Sequence, residues 1–142
     1  MPDSIALLYA LQEAADALEA KMAAIVSEVD LTVSQFNLLF YVVEQGPLRQ
    51  TQLARYRRCL KSNVSNLVRA MEIQGLVDVQ AAPDDRRARL VAPTAEGRKR
   101  YLKARRSATR LQKELTEHLG RSKSELLTHL SMSAARAIDA NS

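Results

Sequence analysis

The sequence predicts a mainly α-helical fold carrying one small β-hairpin. Three observations predict it. Apolar residues recur at three- and four-residue spacing through long stretches of the 142 residues. Val77, Val79 and Ala81 alternate with a period of two and run into Pro83-Asp84-Asp85, which is turn chemistry. Capping signals and short loops, rather than linkers, separate the segments. Helix, helix, helix, helix, hairpin, helix, helix is the order of a winged helix-turn-helix flanked by N- and C-terminal helices.

Residues 4–29 form the first helix, with Ile5, Leu8, Leu11, Ala15, Leu18, Met22, Ile25 and Val29 on one stripe and Asp3 or Ser4 as its cap. Periodicity leaves open whether this stripe packs within the chain or against a second copy. Thr32-x-x-Gln35 is a capping box, and Leu31 with Phe36 occupies the positions of a hydrophobic staple. The second helix therefore starts at Val33, buries Phe36, Leu39, Phe40 and Val43, and stops at Gly46-Pro47. Residues 50–57 make a short helix around Leu53 and Ala54, and residues 58–60 are the turn after it. In the fourth helix Val64, Leu67, Val68 and Met71 form the apolar face. Ser62, Asn63, Ser65, Asn66 and Arg69 fall on the other side, and Gly75 suits its C-terminus. Leu90 and Ala92 lie on the return strand, beyond the tip residues Arg86, Arg87 and Arg89. Thr94 caps a helix running to about His118, with Glu96 in its positive first turn. Gly120 breaks it, and the box Ser122-x-x-Glu125 opens a last helix marked by Leu126, Leu127, Leu130, Ala134 and Ile138.

Composition narrows the function. Hydrophobic content of 46% and charged content of 26% are ordinary for a globular domain. No apolar run is long enough to span a membrane, and no secretion signal is evident, so a cytoplasmic protein is expected. One cysteine excludes an internal disulfide framework. The net charge of +5 is unevenly placed: residues 1–44 carry −6, residues 45–110 carry +11, and residues 111–142 carry zero. A basic middle third favours a polyanion. Short polar groups with one long cation on the fourth helix suit the base edges of a major groove. Double-stranded DNA is thus the expected partner.

Other chemistry finds little support. His118 and His129 are the only histidines, and Cys59 is remote from both, so no metal and no cofactor are expected. No GxSxG, Walker, HExxH or glycine-rich phosphate motif occurs, so no enzyme is expected. Arg57, Arg58 and Lys61 would lower the thiol pKa of an exposed Cys59, which leaves a redox switch open beside the plainer role of a small apolar plug.

Several strings resemble the MarR family of bacterial transcriptional regulators. They are Leu31-Thr32-x-x-Gln35-Phe36, Gly46-Pro47-Leu48, Leu53-Ala54, Lys61-Ser62-Asn63-Val64-Ser65, Gly75-Leu76-Val77, Pro83-Asp84-Asp85-Arg86-Arg87 and Thr94-x-x-Gly97-Arg98. The resemblance covers roughly residues 31–100. It implies a dimerisation region from residues 1–30 and 94–142, around a DNA-binding module at 31–93. It also implies a homodimer, a wing reaching the minor groove, and a small aromatic or lipophilic effector. Leu60 stands where the family has a small capping residue, which shifts the expected cap to Ser62. On this reading Ser62, Asn63, Ser65, Asn66 and Arg69 face the major groove. Arg86, Arg87 and Arg89 serve the wing, Asp85 holds Arg87 in a fixed rotamer, and Arg57, Arg58 and Lys61 meet phosphates. The expected function is a repressor of a pseudo-palindromic operator. The alternatives are a winged-helix protein-interaction module with a basic face, and a redox-sensing regulator acting through Cys59.

Overall fold

The computed structural model describes residues 3–56, 60 and 63–141. Of the residues singled out above, Arg57, Arg58, Cys59, Lys61 and Ser62 lie outside the described residues. A 3-10 turn, Asp3–Ile5, leads into α1 (Ala6–Ser27), followed by α2 (Val33–Glu44), β1 (Leu48–Arg49) and α3 (Gln50–Leu53), which continues as a 3-10 turn over Ala54–Tyr56. Then come α4 (Val64–Ile73), β2 (Val77–Ala82), β3 (Asp85–Pro93), α5 (Ala95–Leu119) and α6 (Arg121–Ala140). The chain divides into two compact units, Met1–Arg105 and Arg106–Ser142.

The capping box forms as expected. The Thr32 hydroxyl accepts from the Gln35 N–H at 3.1 Å, and the Gln35 carbonyl oxygen accepts from the Thr32 N–H at 3.0 Å. The staple residues Leu31 and Phe36 are both buried. Two other expected caps are not used. At the start of α1 neither Asp3 nor Ser4 caps; the 3-10 turn tightens the entry and Ile5 holds the cap position. At α6 the cap position falls on Gly120, whose φ of +83° lets the chain enter the helix at Arg121. Ser122 is then inside the first turn, and Glu125 pairs with Arg121 at 3.0 Å.

The core of the first unit gathers Val26, Val29, Leu31, Leu38, Leu39, Val42, Leu53, Leu60, Val68, Met71, Leu76, Val77, Val91 and Tyr101, with neighbours from the same elements. The buried arc of α2 is wider than its expected stripe. Leu38 and Val42 are fully buried and Phe40 is exposed, because α1, α4 and β3 all pack against this helix. The sheet also exceeds the expected hairpin. Its order is β1-β3-β2, all antiparallel, and β1 is only the pair Leu48–Arg49, too short to show a period of two. Val91 on β3 pairs with both Leu48 and Val79 and is fully buried. An irregularity between Ala81 and Ala82 breaks the alternation on β2, so Ala82 is buried where Ala81 was expected inward.

Helix α4 ends in a joint that holds the unit together. Gly75, at φ +72°, reverses the chain after α4. Its N–H donates to the Glu72 carbonyl at 3.0 Å, and the Leu76 N–H donates to the Met71 carbonyl at 2.8 Å. Thr94 docks on the same turn: its hydroxyl donates to the Gly75 carbonyl at 2.6 Å, and its N–H donates to the Leu76 carbonyl at 3.1 Å. The Thr94 hydroxyl also accepts from the Gly97 N–H at 3.0 Å, capping α5 as expected. A Cβ on Gly97 would lie 2.0 Å from the Leu76 carbonyl oxygen. Further along α5, the Tyr101 ring sits 5.2 Å from that of Phe36, and its hydroxyl donates to Glu44 at 2.7 Å. Burial and the neighbouring Glu44 carboxylate raise the Tyr101 pKa, so the hydroxyl stays a neutral donor.

The second unit is different in kind. None of the described residues of α6 is buried; Leu126, Leu127, Leu130, Met132 and Ile138 are all exposed.

Gly97→Ala tests the joint. Alanine favours a helix over glycine by about 1 kcal/mol, but the overlap with the Leu76 carbonyl outweighs that gain. The expected net loss is about 1–3 kcal/mol, read as a lower urea midpoint at unchanged slope. A midpoint at or above the parent's would mean the joint opens freely.

Candidate nucleic-acid interface

Helix α4 is held by its apolar face and offers the rest to solvent. Val64, Leu67, Val68 and Met71 are buried; Ser65, Asn66 and Arg69 are exposed and share the opposite side. Asn63, rather than Ser62, is the N-cap: its Oδ1 accepts from the Asn66 N–H at 3.2 Å. The helix therefore starts at Val64, and the Asn63 oxygen is already occupied there.

Gln50 belongs to this surface and was missed in the sequence. Its Nε2 donates to the Ser65 hydroxyl at 2.7 Å, tying the start of α3 to the first turn of α4. The signal was present, since the segment opens Arg49-Gln50-Thr51-Gln52, but its polar residues carry no periodicity. Ser65 keeps its own O–H for donation outward, because the contact uses it as an acceptor.

On the wing, Pro83 and Asp84 make a two-residue turn between Ala82 and Asp85, which pair in register. The next pair is Ala81 with Arg89. Arg86, Arg87 and Ala88 therefore have no counterpart on β2 and bulge from the ribbon. Arg86 and Arg87 are exposed on that bulge, and Arg89 is exposed on the paired strand below it. A bulge gives up ladder hydrogen bonds, and here Asp85 supplies one: its Oδ1 accepts from the Arg87 main-chain N–H at 3.0 Å. Asp85 thus orients Arg87 through the backbone.

Asp84 pairs with an arginine from outside the wing. The Arg49 guanidinium, at the end of β1, places Nη2 within hydrogen-bond distance of both Asp84 oxygens. That hydrogen bond, more than any other influence, holds the Asp84 carboxyl below the usual carboxylate range. Nothing in the sequence paired these residues, which lie 35 positions apart.

The aromatic residues form two groups of ring contacts. Tyr101 and Phe36 are core, Tyr41 stacks on Tyr56 at 3.8 Å, and Phe40 meets Tyr41 edge-on. An open groove of about 620 Å³ is lined by Ser27, Asp30, Leu31, Thr32, Gln35, Gln74 and Arg100. No aromatic side chain lines it. No helix among the described residues is long and apolar enough to cross a membrane.

Known proteins resemble this arrangement. A family model described as "MarR family" matches residues 29–88. The HTH-type transcriptional regulator FarR of Neisseria gonorrhoeae is 27% identical over 130 residues, covering 92% of this chain and 89% of that protein. The structure of the transcriptional repressor CouR bound to a 23-mer DNA duplex is similar with a TM-score of 0.78 and 33% identity, over 94% of each chain. CouR bound to p-coumaroyl-CoA aligns with a TM-score of 0.77 at 29% identity over 94% of each chain. NadR in complex with 4-hydroxyphenylacetate aligns with 0.77 at 25% identity, over 95% of this chain and 96% of that one.

The cap can be tested by itself. Asn63→Ala is expected to cost about 1 kcal/mol of unfolding free energy, and Asn63→Asp much less, because aspartate caps equally well. Urea unfolding of both variants measures this. Equal stability of the alanine variant and the parent would mean the Asn63 oxygen does not support the helix start.

Proposed function

This chain belongs to the MarR family of transcriptional regulators, and from that premise we propose that it is a homodimeric repressor binding a pseudo-palindromic operator. One observation carries the reading: α4 presents Ser65, Asn66 and Arg69 outward from a buried apolar face, beside a wing whose bulge presents Arg86 and Arg87. In this proposal Asn66 and Arg69 read base edges, with Ser65 and Gln50 beside them and Asn63 and Ser62 at the helix start. Arg86 and Arg87 enter or flank the minor groove, Arg89 backs them, and Asp85 sets their path. Arg57, Arg58 and Lys61 meet phosphates. The similarity to DNA-bound CouR supports this reading.

The proposed dimer draws on residues 1–30 and 94–142, around a DNA-binding module at 31–93. Leu7, Leu8, Tyr9 and Leu18 of α1 are exposed in the single chain, as are the leucines of α6. Exposed apolar stripes of this kind mark interaction surfaces. A small aromatic or lipophilic effector is proposed to relieve repression. CouR bound to p-coumaroyl-CoA and NadR bound to 4-hydroxyphenylacetate support an aromatic one.

Sedimentation at micromolar concentration is expected to give twice the chain mass of 15.8 kDa; a clean species at the chain mass would contradict the dimer.

Helix and wing are expected to divide the work. The minor groove carries a degenerate code, so the wing arginines supply affinity more than choice. Arg86→Ala or Arg87→Ala should weaken binding to most duplexes and lower the slope of log K against log[salt] by about 1. Asn66→Ala or Arg69→Ala should cost about 1–3 kcal/mol on the operator and much less on scrambled DNA. An operator selected from random duplexes, and its scrambled version, titrated across a salt series, measure both. Wing variants that lose only operator binding would reverse the roles, and variants that change nothing would remove the DNA reading.

A further inference from the structure

Arg49 lies between the first turn of α4 and the tip of the wing. It ends β1, paired with Leu90 on β3, and Gln50, the next residue, touches the first turn of α4. From there its guanidinium reaches the tip of the wing. It therefore stands between the two elements that the proposed function assigns to the grooves. Sequence-independent affinity for a duplex grows with the number of phosphates that protein cations neutralise. Arg49 is already paired, with both oxygens of Asp84 on its Nη2, so a phosphate gains that cation only by displacing a carboxylate.

The pair is at the surface, with side chains 35% and 70% exposed. A surface ion pair adds little to stability. Bracing the wing is thus a small return for two charged residues at the centre of an interface. Masking a cation is the larger effect, since one phosphate contact changes the salt dependence of binding measurably. Asp85, one residue on, already supports the bulge through the Arg87 N–H, so the wing backbone has its own support.

We propose that Asp84 is an affinity-limiting residue that masks Arg49 from DNA phosphates. The inference rests on the DNA-binding reading above. With the mask in place, Arg49 adds nothing to indiscriminate binding, and the base-facing residues of α4 carry a larger share of the total.

Duplex titrations of Asp84→Asn across a salt series test it. Asparagine keeps the shape and removes the charge that holds Arg49. Binding to operator and to scrambled duplex should both tighten, and the slope of log K against log[salt] should steepen by about 0.9, the value for one added phosphate. The gain should shrink about threefold between 50 and 200 mM salt. In the double variant Arg49→Gln with Asp84→Asn, the slope should return to that of the parent.

Four results would overturn the proposal. Weaker binding by Asp84→Asn would make the pair a brace for the wing. A gain that persists in the Arg49→Gln background would make Asp84 a source of simple repulsion. An unchanged slope in a parent that binds DNA would remove the mask alone, whereas a parent that binds no duplex would remove the DNA-binding reading with it.

Discussion

The first unit depends on one place where three backbones meet. Gly75 turns the chain left-handed after α4, and the Leu76 carbonyl then lies against α5 at Gly97, where no Cβ fits. Thr94 fastens the contact with its hydroxyl and its N–H. One threonine side chain thus meets the turn that ends α4 and caps the start of α5. The two buried residues of the turn, Met71 and Leu76, pack the same joint from inside. The angle at which α4 leaves the core follows from this joint, and so does the direction in which Ser65, Asn66 and Arg69 point.

From that base the interface is assembled by polar contacts between elements. Gln50 links α3 to α4, Arg49 links β1 to the wing tip, and Asp85 supports the bulge that presents Arg86 and Arg87. Each contact is exposed and individually weak. Their effect is positional: they hold polar and cationic side chains that a rigid apolar core has already brought close. Tyr101 and Glu44 make a comparable link deeper in the unit, where burial keeps the tyrosine hydroxyl neutral and the hydrogen bond intact.

The second unit lacks such a base. Its last helix carries leucines at helical spacing and buries none of its described residues. Helix α1 repeats the pattern over much of its length, with Leu8 and Leu18 exposed, while Val26 near its end and Val29 just beyond it belong to the core. The apolar stripe is continuous in sequence but divided in use. Its C-terminal part serves the chain's own core, and the rest is exposed.

Local chemistry was legible in the sequence wherever a signal needs only near neighbours. The Thr32–Gln35 box, the Gly75 turn, the Thr94 cap and the apolar face of α4 each depend on residues within a few positions of one another. The Asp-Asp-Arg-Arg turn and the order of elements followed from the same kind of signal. Local rules also misled where two competed: Ser122 offered a cap, but Gly120 could start α6 sooner through its positive φ. Only the tertiary structure decided the rest. Leu48–Arg49 became a strand because β3 lay beside it. Leu38 and Val42 were buried because α2 is covered from several sides. Ala82 rather than Ala81 turned inward because the ribbon slips its register at the bulge. Arg49 found Asp84, and Gln50 found Ser65, across 35 and 15 residues of chain. Periodicity carries no information about such pairs, because they follow from where the packed elements place two side chains.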